Sequence, residues 1–165
     1  MHSWAAIFDW DGVILDSSSQ HDRAWQKLAG ELGRPLPDGF FRRSFGMKNE
    51  RVIPELLGWT HDPGEIRQLS FHKEELYREM IGQEGIAALP GVKAWLDQLR
   101  AAGIPCAVGS STPRANIDCV IQQLGLESRF AALVGAEDVT HGHPHPEVFL
   151  LAASRLATPP ARCVV

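Results

Sequence analysis

The chain has 165 residues, of which 44% are hydrophobic and 22% charged, the composition of a soluble globular domain or of one domain carrying an insertion. A formal net charge of -4 with no basic block argues against nucleic acid or an anionic membrane as partner, and no protein partner is implied, whereas a small phosphorylated molecule needs only a local positive pocket. No apolar run approaches the roughly 18 residues of a membrane span and the N-terminus lacks a signal-peptide layout, so a cytoplasmic location is expected.

The first element is a strand over about Trp4–Phe8, which delivers Asp9 and Asp11, one residue apart, into the turn at Gly12. Alternate residues of an extended chain point the same way, so both carboxylates can face a site beyond the strand's carboxyl end, where open parallel sheets bind ligands. Two carboxylates this close repel, and a divalent cation or a shared proton would relieve them. The plainer reading of Asp-x-Asp-Gly is a turn that caps the next helix.

That helix is expected from about Ser17 to Leu32, with Ser17 or Ser18 as N-cap, Gly33 as stop, and Ala24, Leu28 and Leu32 on its apolar face. From Pro35 to about Gln83 the pattern is helical and charge-rich, broken at Gly46, Gly58 and Asp62-Pro63-Gly64, and it reads as a separate helical unit. A helix through Trp95 and Leu99 ends at Gly103, and Ile104–Gly109 is a short buried strand. Trp25 and Trp95 sit at core spacing and are read as packing residues. A helix over Pro113–Leu124, a strand near Ala132–Gly135, a helix over Glu147–Leu156 and a strand opening at Arg162–Val165 follow. This alternation predicts an α/β fold, a parallel sheet with helices on both faces. Cys106, Cys119 and Cys163 lack metal-ligand spacing and read as buried free thiols.

The segment Gly109-Ser110-Ser111-Thr112-Pro113 ends a strand in three hydroxyl residues at a helix start, which suits a phosphate as well as ordinary N-capping. Further on, His141, His143 and His145 alternate along Gly142-His143-Pro144-His145-Pro146-Glu147, leaving open a transition-metal site on one side of an extended loop.

Asp9-Trp10-Asp11-Gly12-Val13 with Ile14-Leu15-Asp16-Ser17 resembles motif I of the haloacid dehalogenase superfamily. The resemblance implies a Rossmann-like parallel core of residues 1–16 and 89–165, with a small helical cap, residues 17–88, inserted in it and closing over the site. It implies that Asp9 is the nucleophile, Asp11 the general acid and base, and that Mg2+ is held by the Asp9 carboxylate and the Asp11 carbonyl. The Ser110 segment resembles motif II, so Ser110 would hydrogen-bond the phosphoryl group with help from the Ser111 backbone. Gly142–Phe149 resembles motif III with His143 in place of its lysine, which implies a phosphate contact that is weakened or more acid-dependent. His21, Ala24-Trp25 and Phe45-Gly46-Met47 are similar to the cap of the beta-phosphoglucomutase subgroup. Lys73 falls where that subgroup has a substrate-facing lysine, though beside Glu74 and Glu75 it also fits a solvated helix face. Asn49 stands where the mutase has a phosphate-binding arginine, which favours a phosphatase of small phosphorylated metabolites, sugar phosphates foremost, over a phosphosugar mutase. The acid of motif IV would follow the strand at Val165; without it the sequence is expected to be a fragment of a longer polypeptide, and an impaired phospho-ligand binder is a further alternative.

Overall fold

The computed structural model describes residues 4–45, 47–141 and 144–165. In chain order the elements are β1 (Ala5–Phe8), α1 (Ser18–Leu32), α2 (Phe40–Ser44), α3 (Asn49–Arg51, continued by a π-helical turn Val52–Leu56), α4 (Pro63–Glu84), α5 (Val92–Ala101), β2 (Cys106–Gly109), α6 (Arg114–Leu124), β3 (Ala132–Val134), α7 (Glu147–Arg155) and β4 (Cys163–Val164). They fall into two compact units, Ser18–Glu84 and the remainder of the chain on either side of it.

The larger unit is built on a parallel four-stranded sheet in the order β3-β2-β1-β4. Ala6 pairs with Cys106, Val108 with Leu133, and Ala5 with Cys163. β1 and β2 are apolar along their length because both faces of the sheet are covered: Ala5, Ile7, Ala107 and Val108 are buried. α7 lays Val148, Ala152 and Ala153 against Ile7, Ala107 and Val134 on one face. Strand order runs one way from β1 to β3 and then reverses to β4, so right-handed crossovers put α5 and α6 on the face opposite α7. β1, whose carboxyl end delivers Asp9, lies beside that reversal, the place where such sheets open a crevice.

In the helical unit, α1 and α4 pack against each other. Ala24, Trp25, Leu28 and Ala29 of α1 are buried, as are Leu69, Leu76, Tyr77, Met80 and Ile81 of α4. The pairs Arg23–Glu84, Lys27–Glu79 and Glu31–His72 descend α4 as they climb α1, and Arg34–Glu65 continues the run just past the end of α1, the signature of an antiparallel pair. They are exposed and set register more than stability. Trp25 anchors the unit edge-on to Phe40 and Trp59, at 5.5 and 6.2 Å between ring centres.

Several expectations are corrected. Leu32, at the last turn of α1, is exposed, and its place in the apolar stripe goes to Trp25 and Ala29. Trp95 is half exposed, because α5 turns Leu96 and Leu99 to the core instead. Of the three thiols only Cys106 is buried; Cys119 and Cys163 are partly exposed, and none of the three is in a disulfide. Burial pushes the Cys106 thiol above its ordinary range.

Candidate active site

Past Phe8 the chain leaves the sheet and turns tightly. Ile14 N–H donates to the Trp10 carbonyl at 2.9 Å, and Gly12 N–H to the Leu15 carbonyl at 2.8 Å. Gly12 lies at φ 79°, a left-handed conformation that costs an L side chain about 1–2 kcal/mol. Trp10 is fully buried and pins the turn from below, its indole N–H without a partner among the described residues. Asp9 and Asp11, on either side of it, are both partly exposed. Oδ1 of Asp9 accepts the Trp10 peptide N–H at 2.7 Å.

Asp11 is held from two sides. The Ser17 hydroxyl donates to its Oδ1, and the Thr112 hydroxyl to its Oδ2 at 2.6 Å. Thr112 comes from the turn after β2, 101 positions further along the chain, so this bond joins the carboxylate-bearing end of β1 and the hydroxyl-bearing end of β2 into one site. Ser110 completes the chain: it donates to Thr112 Oγ1 at 3.2 Å and accepts the Thr112 peptide N–H at the same distance. Ser110 and Thr112 are buried and Ser111 is partly exposed. The turn is supported from β3, where Ser110 N–H donates to the Val134 carbonyl at 3.1 Å and Ala136 N–H to the Thr112 carbonyl at 3.0 Å. At Gly135 a methyl group would lie 3.1 Å from both the Thr112 oxygen and the Arg114 nitrogen, so a side chain there would require the turn to give by a few tenths of an ångström.

Sequence alone assigns Thr112 no role, and it marks Ser17 as a helix cap and as the end of the motif I resemblance without linking it to Asp11. The one signal for Thr112 was its place in a run of three hydroxyls, two of which were chosen instead. His143 lies outside the described residues, as does Gly46 of the Phe45–Met47 segment.

Within the helical unit His21, Lys73 and Asn49 meet in one network. Lys73 is 2% exposed, which overturns a solvated helix face. Its ammonium donates to His21 Nδ1 at 2.7 Å and to Glu74 Oε1 at 2.9 Å, and lies 5.5 Å from the centre of the Trp25 ring. An ammonium has no acceptor, so Nδ1 of His21 accepts in that contact. His21 also stacks on Tyr77 at 4.1 Å. Asn49 donates its amide to the same Glu74 oxygen at 2.7 Å. A buried cation here is compensated by a neighbouring carboxylate, the arrangement that makes burying either charge tolerable.

The oxygen donors at the end of β1 suit a hard cation such as Mg2+, which takes one or two carboxylates and fills its shell with water and substrate oxygens. The Asp9 carboxylate and the Asp11 peptide carbonyl are of that kind; the Asp11 side chain is already occupied by two hydroxyls.

A family model for haloacid dehalogenase-like hydrolases matches residues 5–165. The chain is 37% identical, over 97% of its length, to the chloroplastic 5-amino-6-(5-phospho-D-ribitylamino)uracil phosphatase of Arabidopsis thaliana, of which it spans 43%. It is 30% identical to the fructose-1-phosphate phosphatase YqaB of Escherichia coli, with 96% of this chain and 83% of that protein aligned. Among solved structures, the beta-phosphoglucomutase of Clostridium difficile superposes with a TM-score of 0.81 at 27% identity, covering 99% of this chain and 74% of that one.

Proposed function

The chain belongs to the haloacid dehalogenase-like hydrolases, and from that premise we propose that it is a Mg2+-dependent phosphatase of small phosphorylated metabolites, sugar phosphates foremost. The observation that carries the reading is the Asp11 carboxylate, joined to the Ser110–Thr112 turn by a 2.6 Å hydrogen bond one residue away from Asp9. Relatives that act on phosphorylated metabolites by name support the substrate class.

In the proposed reaction an Asp9 carboxylate oxygen attacks phosphorus in line and forms an aspartyl-phosphate, while Asp11 gives its proton to the departing alkoxide. Asp11 then takes a proton from water as that water attacks the phosphorus, which releases inorganic phosphate and restores the Asp9 carboxylate. Ser17 and Thr112 suit this exchange because a hydroxyl can donate to an ionised carboxylate and accept from a protonated one. Ser110 and the Ser111 backbone are assigned to the phosphoryl oxygens, with His143 as a third contact. Asp9 and the Asp11 carbonyl would hold Mg2+, whose charge offsets that of the phosphoryl group against the nucleophile.

Substrate contacts within the helical unit are assigned to His21, Lys73 and Asn49. Asn49 shares Glu74 with Lys73, so it brings an amide and not a cation, which favours a phosphatase over a mutase that must grip a second phosphate.

The test is phosphate release from a panel of sugar phosphates, with and without Mg2+, for the wild type and Asp9→Asn. Release that needs the metal and vanishes in the variant, whose circular dichroism and melting stay those of wild type, is expected. Equal turnover by Asp9→Asn would sink the mechanism, and phospho-ligand binding with no turnover in either protein would replace the enzyme with a binder.

A further inference from the structure

We propose that His141, His145 and Glu147 form a site for a divalent transition ion of the borderline class, Zn2+, Ni2+ or Co2+, in the loop that leads into α7. One ligand atom from each of these residues lies within 4.8 Å of the other two. Both imidazoles approach a single carboxylate oxygen, Oε2 of Glu147: His141 Nδ1 at 3.0 Å and His145 Nδ1 at 3.8 Å. Their rings lie 4.8 Å apart and tilted at 40°, side by side over the acid. Nitrogen and oxygen ligands about 2.0–2.1 Å from a tetrahedral ion stand roughly 3.3 Å apart, so the set closes on an ion with side-chain rotations alone.

The acid is held in place before any ion arrives. Oε1 of Glu147 accepts the Thr140 peptide N–H and Oε2 that of His141, each at 3.0 Å. The Thr140 bond, then those from the His141 side chain and backbone, keep this carboxyl below its ordinary range, so it is an anionic ligand throughout neutral conditions. A carboxylate only accepts, so the proton in the His141 contact sits on Nδ1, and a metal ion would take the place of that proton. Two imidazoles and a carboxylate suit borderline ions; Mg2+, which prefers oxygen, is not expected here.

The histidine side chains are 64% and 52% exposed, so solvent water can complete the coordination shell. This set differs from the alternating histidine trio open at sequence level: it uses Glu147 and does not include His143. It is also separate from the Asp9 site in residues and in the ion it takes. An ion bound there would hold His141 and His145 to Glu147 at the start of α7.

The experiment is a competition for Zn2+ between the full chain and a chromophoric chelator in a large excess of Mg2+, comparing wild type with His145→Asn. Among the described residues His145 makes none of the backbone bonds that hold Glu147, so the variant is expected to fold. One equivalent of zinc in wild type and affinity at least about tenfold weaker in His145→Asn are expected, since even loss of a residue behind a ligand typically costs that much. Glu147→Gln provides a second arm with the same expected loss. The Co2+ form should lack the near-ultraviolet charge-transfer band of a thiolate ligand. Equal affinity in wild type and His145→Asn, a thiolate band that points to Cys119 or Cys163, or displacement of zinc by Mg2+ would each overturn the assignment.

Discussion

Both oxygens of Asp11 accept from hydroxyl groups, one from the segment after β1 and one from the turn after β2. Hydrogen bonds to a charged group are worth about 1.5–3 kcal/mol, so removing the Thr112 donor while keeping its shape is expected to cost at least about tenfold in kcat. Thr112→Val should show that loss with little change in melting temperature, and Thr112→Ser should recover most of it, as read by initial rates on the best substrate of the panel. Equal rates in Thr112→Val and wild type would make the contact incidental. Asp9, Asp11 and Ser110 could be picked out from sequence because each follows an apolar strand within three residues, so the signal is local. Thr112 and Ser17 could not, since which hydroxyl reaches Asp11 depends on how two distant turns meet. Lys73 was ambiguous for another reason. α4 buries Ser70, Lys73 and Glu74 among its apolar residues, and a buried ion pair written next to Glu75 looks like any exposed charged stretch.

At the level of elements, the strands were readable because parallel strands covered on both faces are short continuous apolar runs between turn residues. The Pro35–Gln83 stretch was not readable in detail: between α2 and α4 the chain passes through one turn of α-helix and a π-helical turn at Pro54, for which no periodicity exists to detect. The link between β3 and α7 carries a titratable lock. Asp138 receives the Gly135 peptide N–H at 2.8 Å and the Arg155 guanidinium, while Arg155 also donates to the Leu133 carbonyl at 2.5 Å. The Arg155 bond, then the Gly135 bond, hold the Asp138 carboxyl below its ordinary range. A depressed carboxyl contributes stability above its unfolded-state pKa of about 3.9 and loses it as the pH falls through the folded value. Urea midpoints measured down the pH scale should therefore fall in wild type below about pH 4, with a shallower fall in Asp138→Asn from a lower starting point at neutral pH. Parallel curves for the two proteins would show that the Arg155 contact contributes nothing. The lock matters to the site because Gly135, whose N–H it fixes, is the residue against which the Thr112 turn packs.

For the molecule as a whole, the α/β class and the parallel sheet were within reach of sequence, because strand and helix patterns alternate from Ile104 onward and leave one topology class to consider. The likeness to a beta-phosphoglucomutase in fold and to named phosphatases in sequence agrees with that reading. Among the described residues no helix is long and apolar enough to cross a membrane. What the whole fold accomplishes, on the proposed account, is to bring the turn after β2 against the turn after β1, so that a nucleophile and an acid-base group share one strand end. The account stands or falls on covalent chemistry at Asp9. Rapid acid quench during turnover, followed by mass spectrometry of the peptide that carries Asp9, tests it most directly. A hydroxylamine-labile phosphate on Asp9, absent from the Asp9→Asn protein, is the predicted result; phosphate release with no label on Asp9 would contradict it.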